Sequence, residues 1–465
     1  MSNVKRMNAA TARRALMGDG EIPSLFEKAL GFRTSTKALK AVHVMNDLAQ
    51  VLLGGAPEHG GDFLSRVIRA DHEDEGNSDS DLRAHKDFGV RFSWAFPVQL
   101  GISKTAALRS AAKMVLNFDG GVYEPGTAMA SALATHKTLL GFEQFRRFQI
   151  GRYLARILTK EGKARLIAMY ESDVDPVSKT FRPLLVQAPF VDRQPPAASA
   201  PPLTAFDRAL GARLSLLLAQ PLSKPALLRK FALGATLGLV LKVLGGGRPD
   251  GKPVLLALAI EDDGPKPLRD AAVMSFRTGV LALDRRIAGL MVEHPLAPEI
   301  SRAPRSDSQV AEVRAGLPPM EAMLELMAAI RQGAGDDAAE VYWPDQFAMY
   351  FGRKAGCVLP KVDKAGWGVH LALPAEFVEL LVLMSVPPDA PPAAWRELWR
   401  SVREDLGLVV GVSAAADAEA LRTAGVEGVS LERLAQNADV ALDFGVRLGV
   451  ARRLPDSGAE AGGSL

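Results

Sequence analysis

Residues 225–260 constrain the fold of this chain more than any other stretch. Leu227, Leu228, Phe231, Leu233, Leu237, Leu239, Val240 and Leu241 fall on every side of one helix, leaving no polar face for solvent. Such a helix has to be covered all round by other elements. Ser223 stands at its N-cap, Pro225 suits its first turn, and Gly245 to Gly247 end it. Val254 to Ile260 then reads as a buried strand, and this order predicts a layered α/β core. The uncharged run Phe231 to Leu241 is well short of the roughly 18–20 apolar residues that a bilayer span needs, so a core helix is expected.

A chain of 465 residues exceeds one typical core and suggests about three domains of roughly 150 residues each. With 56 basic and 53 acidic side chains, the formal charge is only +3. Nucleic-acid binding would therefore have to rest on a local basic patch. One cysteine, Cys357, excludes an internal disulfide framework and any multi-cysteine metal site. A reducing, cytoplasmic setting fits that usage. Lys5, Arg6, Arg13 and Arg14 are not followed by an apolar run of signal-peptide length, so no export is expected.

The first region, 1–186, reads as mostly helical. A helix opening at Ser35 puts Leu39, Val42, Met45, Leu48 and Leu52 on one face and closes at Gly54 and Gly55, with His43 beside that face as a packed histidine. Asp71, His72, Glu73 and Asp74 begin an acidic stretch. Carboxylates and imidazoles at this density make Asp71, His72 and Asp74 candidate ligands for a hard or borderline metal, although the spacing matches no defined site and a solvated loop is the plainer reading. Phe88 to Phe96 alternates as a strand, and helices are expected at 104–117 and 129–140. From Glu143 to Arg165 a helix is expected with seven basic residues (Arg146, Arg147, Arg152, Arg156, Lys160, Lys163 and Arg165) against two acidic ones. Arg152, Arg156, Lys160 and Lys163 recur at three- and four-residue spacing and would share one face. A solvated outer face is the ordinary explanation; binding to a phosphate backbone or an acidic partner is the functional one.

Pro195, Pro196, Pro201 and Pro202 mark a linker over 187–202, and the small α/β core is expected over 203–296. Thr204 opens an amphipathic helix with Asp207 in capping-box position. Beyond the central strand come Glu261, Asp262 and Asp263, carboxylates placed where α/β proteins often locate chemistry, and equally at home as turn formers. A long helix follows from about Pro267 to Met291. A second linker over 297–319 precedes a C-terminal region, 320–455, with a helix at 320–331, two strands at 357–361 and 367–373, and helices from Pro374 and from Ala394 to Leu406. Ser430 caps a last helix to Leu448, and Val450 to Leu454 makes a short strand carrying Arg452 and Arg453. Residues 456–465 are polar and glycine-rich, and read as a disordered tail.

The layout over 374–455, helices followed by a helix and a short basic strand, resembles a winged-helix domain. Many such domains dock proteins. Here Glu432, Asp439 and Asp443 accompany Arg433 and Arg447 on the helix that would read DNA, a poor surface for phosphates. Several enzyme signatures fail. Gly246 to Lys252 has the Gly-x-x-x-x-Gly-Lys spelling, but Pro253 replaces the magnesium-binding hydroxyl and the order is helix-loop-strand, whereas a phosphate-cradling loop needs strand-loop-helix. Cys357 with His370 lacks an orienting acid or amide. No zinc-protease, serine-elbow or dinucleotide fingerprint is present.

The expected fold class is α+β, predominantly helical, with several domains. In overall architecture the chain is similar to accessory subunits encoded in bacterial antiphage defence operons. That resemblance implies a non-catalytic subunit of a multi-protein assembly, with protein partners, a possible DNA contact and no cofactor. The competing expectations are a metal-dependent nuclease or hydrolase using Glu261, Asp262 and Asp263, and a DNA-binding regulator.

Overall fold

The computed structural model describes residues 21–34, 41–54, 56–57, 149–171, 190–191, 200–256, 266–293, 318–332, 343–361, 368–455 and 458–462. Within them the protein is predominantly helical with a few small sheets, an α+β fold. The expected strand at 88–96 and the helices at 104–117 and 129–140 lie outside the described residues.

The helix without a polar face, here α6 (Lys224–Gly245), is the axis of the molecule. It starts after Ser223 with Pro225 in its first turn and reaches its C-cap at Gly246, as the proline and the glycines predict. Ser223 has extended N-cap geometry but its side chain makes no capping hydrogen bond. Around α6 pack α2 (Ala41–Leu52), α5 (Ala205–Leu217), α7 (Lys266–Val292), α9 (Pro344–Ala355) and α10 (Ala375–Leu383). Leu237, Leu239, Val240, Leu241 and Val243 are all at most 1% exposed. Gly234 and Gly238 let α5 approach: a Cβ at Gly238 would stand 2.6 Å from Leu210, and one at Gly234 3.0 Å from Leu214. The two leucines, one turn apart on α5, fill the groove that two glycines one turn apart leave on α6.

Other helices enclose this axis. α1 (Glu21–Leu30) and α8 (Pro319–Gln332) both pack on α7. α3 (Ile150–Ile157) packs on α2, and α4 (Lys160–Glu171) contacts α2 and α5. Asp47 from α2 accepts the Gly151 amide of α3 at 2.6 Å, closing an otherwise open helix N-terminus with a carboxylate. One cluster of buried apolar side chains runs from Leu25 to Ala461, with contributions from both sides of the two proline-rich connectors.

The strands are short. β1 (Ala56–Pro57) pairs antiparallel with β2 (Phe190–Val191). The described part of the central strand, β3 (Leu255–Leu256), pairs in parallel with β7 (Leu408–Val409), so its neighbour comes from 153 residues further along the chain (Leu255 opposite Leu408). Residues 257–260 of the expected strand lie outside the described residues. The two strands expected around Cys357 and His370 form an antiparallel pair, β4 (Val358–Leu359) with β5 (His370–Leu371).

The C-terminal elements are α10, β6 (Ala393–Ala394), α11 (Trp395–Leu406), β7, α12 (Ala414–Thr423), α13 (Leu431–Arg447), β8 (Ala451–Arg453) and β9 (Ala459–Ala461). Ser430 caps α13, its Oγ accepting the Arg433 amide at 3.1 Å, as expected. β9 corrects the reading of 456–465 as a disordered tail. It is the middle strand of a three-stranded antiparallel sheet ordered β6-β9-β8. Ala461 is fully buried there between Ala393 and Ala451. α12 was not expected either; it opens on three alanines, and it is anchored by buried Asp417 and Leu421.

Candidate functional site

The basic stretch does not form the single helix over 143–165 that its spacing predicts. In its described part the backbone turns extended at Leu158 (ψ 143°), ending α3, and Thr159 starts α4 by accepting the Gly162 amide at 3.1 Å. Arg152 and Arg156 therefore lie on one helix and Lys160 and Lys163 on another. Two of the arginines serve the fold: Arg156 donates to the Pro201 carbonyl at 2.7 Å, and Arg165 to the Leu218 carbonyl at the C-cap of α5 at 3.2 Å. Lys160 is exposed, whereas Arg152 and Lys163 are half-buried. Arg146 and Arg147 lie outside the described residues, as do the metal candidates Asp71, His72 and Asp74 and the carboxylates Glu261, Asp262 and Asp263. Among the described residues no group of His, Cys, Asp and Glu is arranged to hold a metal ion.

The sequence reading missed a charged cluster inside the core. Lys242 sits in the last turns of α6, 3% exposed, with Nζ 2.8 and 2.9 Å from the two oxygens of Asp207. Tyr153 of α3 donates its hydroxyl to Asp207 at 2.7 Å, and the Lys242 ammonium lies 5.8 Å from the Tyr153 ring centre. Asp207 also completes the capping box of α5, accepting the Thr204 amide at 2.8 Å. Burial pushes the Asp207 carboxyl up, but Lys242 and these donors outweigh it and hold the group below the usual carboxylate range. Burial pulls the Lys242 ammonium down, opposed by Asp207 and reinforced by Arg286 and Arg156. Burial, then the Asp207 charge, pushes the Tyr153 hydroxyl well up. The cluster is closed by its own bonds and ties α3, α5 and α6 together, which is a structural arrangement. The signal available in the sequence was Lys242, the one charge in the second half of the helix, directly after the uncharged run Phe231 to Leu241.

A cleft of about 760 Å³ opens between α7 and α12, with the start of β3 as its floor. Arg248, Ser275, Thr278, Arg403, Glu419 and Thr423 are its polar side chains. It adjoins Pro253 and Gly407, the residues that lead into β3 and β7, and thus the end of the parallel pair opposite to the one from which the chain continues toward Glu261.

The third surface is the outer side of α13. Leu431 (52%), Val446 (38%) and Leu448 (42%) are exposed at its two ends, with Glu432, Arg433, Asp439, Asp443 and Arg447 also outward. The arginines of the adjoining strand are both engaged: Arg453 with Asp443 at 2.6 Å, and Arg452 with Glu460 of β9. Arg447 lies 4.9 Å from the Phe444 ring centre.

The discounted motifs acquire a physical basis. α6, a loop and β3 follow one another in helix-loop-strand order, and the loop is closed on itself: a Cβ at Gly245 would fall 2.1 Å from the Gly251 carbonyl oxygen. Lys252 donates to the Glu404 carbonyl and faces no phosphate cradle. Cys357 is fully buried, and burial pushes its thiol up to about 12, so it supplies no thiolate at neutral pH. His370, also fully buried, has Nδ1 2.9 Å from the Gly368 carbonyl oxygen. Among the described residues no helix is long and apolar enough to cross a membrane. No protein-family model matches this chain, and comparison with curated proteins finds no match.

Proposed function

We propose that this protein is a non-catalytic subunit of a bacterial multi-protein assembly, of the antiviral-defence type, and that it docks a protein partner through the outer side of α13. The observation that carries this reading is the composition of that side. It has exposed Leu431, Val446 and Leu448, a small excess of acid over base, and neighbouring arginines already matched to Asp443 and Glu460. A duplex-reading helix needs the reverse, unmatched cations around polar base-reading side chains. The order helix, strand, helix, strand, helix, helix, strand, strand from α10 to β9, with β9 between β6 and β8, supports a winged-helix-like module used for docking. The internal use of Arg156 and Arg165 leaves less cationic surface on α3 and α4 for a phosphate backbone.

The test is a titration of the purified chain with duplex and single-stranded DNA over a salt series, beside cross-linking in cells to locate partner contacts. The expected result is no salt-sensitive DNA binding, and partner cross-links at α13 that Val446→Glu and Leu448→Glu remove. DNA binding that weakens steeply with salt and disappears in Lys160→Glu/Lys163→Glu would overturn it in favour of a nucleic-acid-contacting subunit.

A further inference from the structure

The cleft between α7 and α12 is separate from the outer side of α13, and its chemistry is different. Its volume, about 760 Å³, lies within the range of roughly 300–1,000 Å³ common for small-molecule sites. One wall is the alanine face of α12, Ala416, Ala420 and Ala424 at four-residue spacing, and the floor is Pro253, Val254 and Leu255. These give a small-residue apolar surface beside the longer side chains of Arg248, Arg403 and Glu419.

Two arginines line the same cleft, and each is steadied by a carboxylate through a single nitrogen. Arg403 Nη1 lies 2.6 Å from Oδ1 of Asp417, a side chain only 3% exposed whose other oxygen accepts the Ser413 amide at 3.3 Å. Asp417 is thereby fixed, and it fixes the guanidinium while Nε and Nη2 keep their hydrogens for other acceptors. Arg248 contacts Asp250 in the same way, through Nη2 at 3.2 Å. Glu419, the acid in the lining, is matched to Arg422. Thr278 adds a hydroxyl from α7, whereas the Ser275 hydroxyl is buried and donates to the Ala272 carbonyl at 3.0 Å. A planar guanidinium suits phosphoryl oxygens in paired hydrogen bonds, and two of them suit a dianion better than a single carboxylate.

We propose that this cleft binds a small organic phosphate of mononucleotide size, with its phosphoryl group on Arg248 and Arg403 and its body against the alanine face of α12. The site gives the docking subunit a small-molecule input at a place that neither α13 nor the buried Lys242 cluster occupies.

The experiment is calorimetric titration of the full chain with the four ribonucleoside monophosphates, with adenosine and inorganic phosphate as the two half-ligands. At least one monophosphate binds, and both half-ligands bind far more weakly. Arg248→Ala removes a half-exposed pair and leaves the melting temperature unchanged; it and Arg403→Lys each weaken binding roughly tenfold through loss of a charged hydrogen bond. Ala420→Leu fills the cleft and abolishes binding. No binding by any monophosphate, or binding untouched by Arg248→Ala and Ala420→Leu, overturns the site. Inorganic phosphate binding as tightly as the monophosphates overturns the role of the alanine face. Arg403→Ala is avoided, because Arg403 also tethers α12 to α11.

Discussion

Two basic stretches of this chain look alike as text and differ as structure. In α3 and α4 the arginines turn toward main-chain carbonyls of the next layer: Arg156 to Pro201, Arg165 to the end of α5. In β8 they stay at the surface and meet carboxylates of α13 and β9, Arg453 with Asp443 and Arg452 with Glu460. Between these regions lies Lys242, whose charge is wholly internal and matched to Asp207. The difference teaches that a run of cations records where charge is, and says nothing of what has already claimed it. The net charge of +3 does not by itself say which of the cations a polyanion could still reach.

The comparison between inner and outer charge breaks most sharply at Lys242. Lys242→Met leaves Asp207 ionised and buried, and removing one partner of a buried pair costs about 3–5 kcal/mol. Denaturant unfolding should show that loss. The double variant Lys242→Met/Asp207→Asn recovers part of it, since the stranded charge is gone. If Lys242→Met unfolds with the stability of the natural chain, the pair is not holding α5 to α6.

In the outer module the comparison turns on the strand that went unrecognised. Ala461→Pro removes one backbone donor from the middle strand of the β6-β9-β8 sheet and leaves a carbonyl of a neighbouring strand without its partner, at a cost of about 1–3 kcal/mol. Limited proteolysis should then cut between Leu454 and Ala459 faster than in the natural protein. Unchanged cleavage there would mean that β9 contributes nothing to the module.

Such misses have physical causes. α6, α7 and α13 were legible because caps, prolines and apolar spacing are local: expected bounds of 267–291 for α7 compare with Lys266–Val292 observed. β9 reads Ala-Glu-Ala, with no β-branched or aromatic residue to mark it, and two partner strands supply its burial. The parallel β3–β7 pair joins residues more than 150 apart, for which no local pattern exists. The break at Leu158 has no glycine or proline to announce it; Thr159 was the readable sign, as an N-cap before Glu161. Of the candidate sites, the cations on α3 and α4 were visible by spacing, but their carbonyl acceptors were not. The alanine face of α12 was invisible because alanine at every fourth position carries no hydrophobic periodicity strong enough to register.

Acid sharpens the contrast by a smaller margin. Asp207 is held below the ordinary carboxylate range, so the folded chain resists its protonation more than the unfolded chain does. Its contribution is present above the unfolded value, about 3.9, and is lost as pH falls through the folded one. Stability measured from pH 5 downward should fall less steeply in Asp207→Asn than in the natural chain.

The smallest effect tests the outer pair itself. Arg453 and Asp443 are 2.6 Å apart, yet their side chains are 55% and 53% exposed, so water screens the attraction and competes for both groups. A double-mutant cycle with Arg453→Ala and Asp443→Ala should give a coupling of about 0.2–1 kcal/mol that shrinks in high salt. The matching cycle at Lys242 and Asp207 should give several times that value and barely respond to salt, because a pair at 4% and 3% exposure is beyond the reach of ions. Equal couplings at the two sites would mean that burial does not separate them. The arginines of β8 would then be as firmly engaged as the lysine of the core, and α13 would have to bind its partner with that charge already immobilised.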